Sequence, residues 1–230
     1  MGFTGKVVVI TGGTGALGQA VTQAFLQAGA RVVVTYTRET EFDALKEKVS
    51  ARENLLGLKT NVLDEASVKA MTQQAGRIDV LVNTVGGFLG GVSITETTLE
   101  QFDKMLALNL KSAFLCCKHV LPLMMQQRSG RIINIGSQGG LQGGEGISAY
   151  GASKAGLINF TQSVAAEGKR HNITANAIIP GIIDTPANRQ AMPKANFAEW
   201  MTSEALAQTI LFLASDAAQA INGAIVPVGG

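Results

Sequence analysis

Lys6–Gly18 reads KVVVITGGTGALG, and this stretch decides the fold. Its first half, Lys6 to Thr11, is a β-branched run without polar alternation, the pattern of a short strand buried on both faces. Glycines follow at positions 12, 13, 15 and 18. An amphipathic helix then runs to about Ala28, with Val21, Phe25 and Leu26 on its apolar face, and Gly29 ends it. Strand, glycine turn and helix in that order set a helix N-terminus, with free N–H groups and a positive dipole end, just beyond the strand. Gly12, Thr14, Gly15, Ala16, Leu17 and Gly18 are therefore candidates to cradle a pyrophosphate. Taken alone, the stretch is equally an ordinary tight turn.

Outward from it, strand and helix keep alternating. Arg31–Tyr36 is a second buried strand, and about Thr40–Val49 a helix with Phe42, Leu45 and Val49 inward. Leu55–Val62 is a third strand, followed by a helix capped by Asp64 and carrying Val68 and Met71. Ile78–Asn83 is a fourth. A glycine-rich loop, Gly86 to Ser93, leads to a long helix opened by a capping box of Thr97 and Glu100. That helix is expected to reach about Leu121, where Pro122 kinks or ends it. Gly130–Ser137 is a fifth strand, Ser148 to about Gly168 a helix, and Ile173–Ile179 a sixth strand. Pro180–Trp200 holds three prolines without a clear period and reads as a loop or lid. Ser203–Ala214 is a helix with Leu206, Ile210 and Leu213 aligned. Ile225–Val228 is a last strand whose Pro227 suits a sheet edge. This order predicts an α/β fold: a doubly wound parallel sheet of about seven strands, helices on both faces, one domain over 1–230.

Bulk properties exclude several classes. Apolar residues make up 46% of the 230 and charged ones 16%, which argues against disorder. A formal charge of +2 gives no footprint for nucleic acid or a membrane surface. No apolar run reaches membrane-span length, and no basic segment leads into an apolar one at the start. Lys6 stands where a myristoylation signal beginning Met1-Gly2 wants Ser or Thr. Cys116 and Cys117 are adjacent, unsuited to a structural disulfide, and read as small core residues. A reducing, cytoplasmic setting is expected. His119 and His171 have no paired ligand, and no metal site is expected.

The chemistry concentrates in Gly136–Gly156, GSQGGLQGGEGISAYGASKAG. Tyr150 and Lys154 lie four apart, so a helix sets them on one face, and a cation beside a phenol favours the phenolate. Ser137 precedes Tyr150 by thirteen residues. On the end of the second strand stand Tyr36, Thr37 and Arg38, with no carboxylate before Glu39. An acidic residue there would bond adenosine ribose hydroxyls. Arg38 and Thr37 instead suit a 2′-phosphate, so NADP(H) is favoured over NAD(H).

The glycine turn, Ser137, Tyr150 and Lys154 together resemble the short-chain dehydrogenase/reductase family over essentially the whole chain. Gly12-x-x-x-Ala16-x-Gly18 is similar to the family's TGxxxGxG, with alanine in the middle glycine's place. Asn83-Thr84-Val85-Gly86 resembles NNAG, and Asn61-Val62 stands where the family often has Asp-Val against the adenine. The resemblance makes Asn109 the fourth catalytic residue, holding a helix irregularity and a water that relays protons. It also makes Pro180, Gly181, Ile183 and Thr185 part of a PGxxxT loop at the nicotinamide. It implies a Rossmann-like fold and a carbonyl/alcohol substrate. Tyr150 would be general acid/base, Lys154 would tune it and bind the nicotinamide ribose, and Ser137 would support the developing alkoxide. It further implies a homodimer or homotetramer built on the long helix and the tyrosine helix. Val85–Gly91 and Asp184–Trp200 are also similar to dihydropteridine reductase, although Tyr36 and Ser137 depart from that pattern. Phe88, Met192, Phe197 and Trp200 are candidate substrate residues, with simple loop packing the alternative. A small ketone, a 3-oxoacyl thioester and a quinonoid pteridine stay open as substrates. A dinucleotide sensor without turnover is the reading from another class.

Overall fold

The computed structural model describes residues 2–229; Met1 and Gly230, the ends of the expected domain, lie outside the described residues. Seven strands form one parallel sheet: β1 (Val7–Thr11), β2 (Arg31–Tyr36), β3 (Leu55–Lys59), β4 (Val80–Asn83), β5 (Gly130–Ile135), β6 (Ile173–Pro180) and β7 (Ile225–Val228). Their order is β3-β2-β1-β4-β5-β6-β7. The chain winds outward one way from β1 to β3, then crosses to β4 and winds the other way. In β1 the sequence VVVI is buried throughout because the pleat divides it between two cores. Val8 and Ile10 face α1 (Ala16–Gln27) and α8 (Ser203–Ala214), joined there by Val32, Val34, Phe25 and Leu206. Val7 and Val9 face the opposite layer of α3 (Glu65–Ala75), α5 (Ser112–Gln127) and α6 (Ser148–Gly168), with Met71, Val120 and Val164. An uninterrupted apolar run is what a strand needs when helices cover both its faces.

The remaining helices are α2 (Glu39–Lys48), α4 (Leu99–Leu106) and α7 (Pro186–Ala191). Asp64 caps α3 as expected, accepting from the Ser67 amide at 2.8 Å. The capping box ahead of α4 falls one residue later than expected, on Thr98 and Gln101. Thr97 is taken out of contention because its hydroxyl closes a turn onto the Ser93 carbonyl at 2.8 Å. Pro122 does not end α5. It lies on the exposed face and the helix continues to Gln127, since the carbonyl deprived of a donor on that face can bond water. β3 and β5 stop earlier than expected, at Lys59 and Ile135. The supposed lid holds α7, with Thr185 accepting from the Asn188 amide and Pro186 in the first turn, and Ile183 bridges Met201. Pro227 does sit on an edge strand. No helix is long and apolar enough to cross a membrane among the described residues.

Candidate active site

The sheet order reverses between β1 and β4, the switch point at which such sheets form a ligand crevice beyond the carboxyl ends of the strands. Gly12 starts its near wall with φ +64, its amide donating to Thr35 Oγ1 at 3.0 Å. The chain then turns so tightly that a Cβ on Gly18 would stand 2.2 Å from the Gly12 carbonyl oxygen. This is why the last glycine of the motif cannot be replaced, whereas Ala16 is exposed and tolerated. The N-terminus of α1 has no side-chain cap and no acidic residue in its first turn. Its N–H groups and dipole are thus left for an external anion, and the cradle fits a pyrophosphate. Thr84 pins the far wall to the near one by donating to the Thr11 carbonyl at 2.6 Å.

Around the rim, Tyr36 stacks on Phe42 and donates to Glu39 at 2.8 Å. Thr37 and Arg38 are exposed at the start of α2. The Arg38 guanidinium is paired with Glu41, and the same carboxylate accepts from the Thr14 hydroxyl at 3.2 Å. Asn61 is exposed and closes its own turn onto the Leu63 amide, and Val62 is buried beneath it. Asn83 does not face the crevice with its amide. It donates to Asn134 Oδ1 at 2.8 Å, and Asn134 donates to Thr161 at 2.8 Å. Asn83 therefore acts on the site by clamping the end of β4 to β5 and α6.

Tyr150 and Lys154 sit on one face of α6, and α6 is tied to the neighbouring helix by a buried chain of neutral hydrogen bonds. Between α4 and α5 the helix widens into one π turn, Ala107–Lys111, which carries Asn109. Asn109 is almost wholly buried and holds the Gly87 peptide from both sides, accepting from its amide at 2.9 Å and donating to its carbonyl at 3.0 Å. Its amide also donates to Ser153 Oγ at 3.0 Å, and Ser153 donates to the Tyr150 carbonyl at 2.7 Å. Gly86 lets this assembly close: a Cβ there would meet Asn109 Oδ1 at 2.8 Å and Lys154 Nζ at 3.5 Å. Ser153 was missed in the sequence, although its i+3 position from Tyr150 turns it toward the same helix neighbour. Glu41 was missed too, since no local pattern ties it to the glycine turn.

Lys154 Nζ donates to the Ile135 carbonyl at 2.7 Å and lies 6.0 Å from the Tyr150 ring centre. Burial brings its ammonium down to about 8. Burial also pushes the Tyr150 phenol above its usual value, and the nearby Ser137 hydroxyl offsets part of that. This corrects the expectation of a phenol held low by its neighbouring cation. Both groups are shifted toward neutrality, because burial penalises either charge. Ser137 also accepts from the Gly139 amide at 3.2 Å, and the backbone at Gly140 runs against Lys154 so closely that a Cβ would come within 2.7 Å. Part of the glycine run thus serves close packing on α6 rather than room for a ligand.

Phe88 is largely exposed and meets the Tyr150 ring edge-on at 4.9 Å. Beyond β6, Gly181 donates to the Val228 carbonyl at 3.0 Å, so Pro180 and Gly181 continue the sheet edge. Asp184 and Arg189 form a two-bond ion pair at 2.6 and 2.7 Å, and Arg189 lies over the Phe197 ring at 4.8 Å. Phe197 packs on Trp200 at 4.8 Å, and Met192 is exposed just past α7. Among the candidate substrate residues, then, Phe88 touches the Tyr150 side while Phe197 and Trp200 form a separate lid cluster.

Comparison with known proteins bears on the same site. The family described as short chain dehydrogenase matches residues 6–196. The 3-oxoacyl-[acyl-carrier-protein] reductase of Thermotoga maritima is 35% identical, with 100% of this chain and 98% of the relative covered. The crystal structure of levodione reductase superposes with TM-score 0.90 at 32% identity, covering 99% of this chain and 97% of that one. The structure of ElxO with NADP bound superposes with TM-score 0.90 at 30% identity, covering 97% and 96%.

Proposed function

The chain belongs to the short-chain dehydrogenase family and is an oxidoreductase, and from that premise we propose that it reduces a carbonyl with NADPH, with Tyr150 as the proton donor. The observation that carries this reading is the buried Asn109–Ser153–Tyr150 chain beside Lys154, set against an uncapped glycine cradle. Gly12 to Gly18 would hold the pyrophosphate, Arg38 and Thr37 the 2′-phosphate, Asn61 and Val62 the adenine side. Gly86, Lys154 and the Pro180–Thr185 loop would hold the nicotinamide end. When bound, the dinucleotide supplies the hydride for the carbonyl carbon.

The chain's own residues supply the rest. Ser137 donates to the carbonyl oxygen as negative charge builds there, an interaction that strengthens in the transition state. Tyr150 Oη gives its proton to that oxygen. Lys154, with its ammonium brought down to about 8, can return a proton toward Tyr150 near neutral pH. Asn109 keeps Tyr150 and the Gly86–Gly87 backbone in register. Phe88 walls the substrate on the Tyr150 side, and Met192, Phe197 and Trp200 line the lid.

Relatives named as 3-oxoacyl-[acyl-carrier-protein] reductases favour a 3-oxoacyl thioester as substrate. We assign a dimer contact to the apolar groove between the α4–α5 helix and α6, lined by Leu106, Leu110, Phe114 and Phe160 around about 560 Å³. Phe114 is 44% exposed there and meets the Phe160 ring edge-on. The deciding experiment follows NADPH and NADH absorbance against 3-oxoacyl thioesters, small ketones, cyclic diketones and quinonoid dihydropterin. Consumption of NADPH with the thioester, well above NADH, is the expected result. Tight NADPH binding without turnover on any carbonyl would replace the enzyme by the sensor reading.

A further inference from the structure

The rim of the crevice holds an anion seat that the chain fills with its own carboxylate. Two donors and a helix dipole meet at Glu41. The Arg38 guanidinium pairs with it, the Thr14 hydroxyl of the glycine turn donates to it at 3.2 Å, and it lies in the first turn of α2, at the positive end of the helix dipole. A hydroxyl and a guanidinium converging on one point are the donors a phosphate monoester would use. We propose that Glu41 is a latch on the 2′-phosphate seat: it satisfies Arg38 and Thr14 in the free chain and must swing aside when a phosphorylated ribose arrives. This rests on the reading of Arg38 as the partner of that phosphate.

Two consequences distinguish a latch from an ordinary surface ion pair. Glu41 bridges positions 27 residues apart, joining the β1–α1 turn to the first turn of α2, so it ties the two sides of the rim together beside the cradle. It also competes with the dianion twice, by occupying its donors and by repelling it once displaced. Removing the charge should therefore tighten binding of the phosphorylated cofactor, an effect that a damaged fold cannot mimic. The size is bounded by exposure. Arg38 is 74% exposed and Glu41 34%, so the pair is screened and the gain is modest.

The test measures dissociation constants of NADP⁺ and NAD⁺ by calorimetry for the wild type, Glu41→Gln and Arg38→Met. Glu41→Gln should bind NADP⁺ roughly three- to fivefold more tightly and NAD⁺ within about twofold of wild type. Arg38→Met should lose about tenfold for NADP⁺ and little for NAD⁺. If Arg38→Met behaves so while Glu41→Gln leaves NADP⁺ binding unchanged or weaker, the latch is wrong and the Arg38 reading stands. If Glu41→Gln weakens NAD⁺, the carboxylate is a ribose acceptor and the latch is likewise overturned. If Arg38→Met leaves the NADP⁺/NAD⁺ ratio unmoved, the Arg38 reading falls and the latch with it.

Discussion

The two edges of the sheet bury polar groups by opposite means. At the amino edge, Asp79 is 4% exposed yet charged: it takes three bonds from Arg77, one from the Val7 amide at 2.9 Å, and lies 3.8 Å from Lys6. Burial pushes its carboxyl up, but Arg77, the Val7 amide and Lys6 together more than reverse this and hold it below the usual value. At the carboxyl edge the buried residues are amides and hydroxyls, and Lys154 has no acidic partner among the described residues. The first edge neutralises charge in place and is inert. The second leaves an amine and a phenol without a countercharge, so burial lowers the one and raises the other, and an ammonium there gives its proton downhill to a phenolate.

The sharpest way to break the contrast is Tyr150→Phe. Catalysis should fall by at least about a thousandfold, on the order of 4 kcal/mol of transition-state stabilisation, with thermal stability nearly unchanged. Steady-state turnover beside a melting curve checks both halves, and near-full activity would dismiss Tyr150 as the acid. Next in size is Asp79→Asn. It strips the amino edge of its charge and leaves the Val7 amide and Arg77 poorly served, which should cost about 2–3 kcal/mol in denaturant unfolding. Cofactor binding by the folded fraction should not move, since the change lies at the far end of the strands.

Lys154→Met gives the finer test. The folded ammonium titrates at about 8, below the ordinary 10.5, so the unfolded chain binds more protons between those values. Stability should therefore rise with pH from about 8 to 10.5, the penalty being fully present below that window. The contribution is on the order of 3 kcal/mol. Subtracting the unfolding curve of Lys154→Met, which has no such group, isolates it. Equal pH dependence in the two proteins would mean that the amine is not penalised by burial.

Most of this architecture was legible because periodicity and turn chemistry act locally. β2, α6, α8 and β7 have their expected bounds, and the β1–glycine–α1 unit was readable from which faces need covering. Misreadings arose where distant or competing groups decide. Thr97 lost the cap to its own turn with Ser93, and Pro122 was tolerated because its face meets water. Asp184 and Arg189 stabilise a helix too short to show a period. In the site, residue types and spacing pointed to Tyr150, Lys154 and Ser137, and the family resemblance alone to Asn109. The pairings Asn109–Ser153 and Thr14–Glu41 join segments 44 and 27 residues apart and leave no mark in either segment. The inward turn of Asn83 was hidden for the same reason.

The π turn at Ala107–Lys111 has a consequence for how this chain can change length. A helix advances by about 100° per residue, so a widened turn is one residue of slack inserted into a continuous rod. Deleting a single residue there would restore a regular helix and leave Cys116, Cys117, Val120 and Met124, all buried, facing nearly the same way relative to Met105. Elsewhere in α5 a deletion would misalign the core with nothing to absorb it. Here it would leave each half-helix intact and swing Asn109 off the Gly87 peptide. Chains that keep the fold but have lost turnover could arise by so small an excision, whereas the surface loops can lengthen without touching the chemistry.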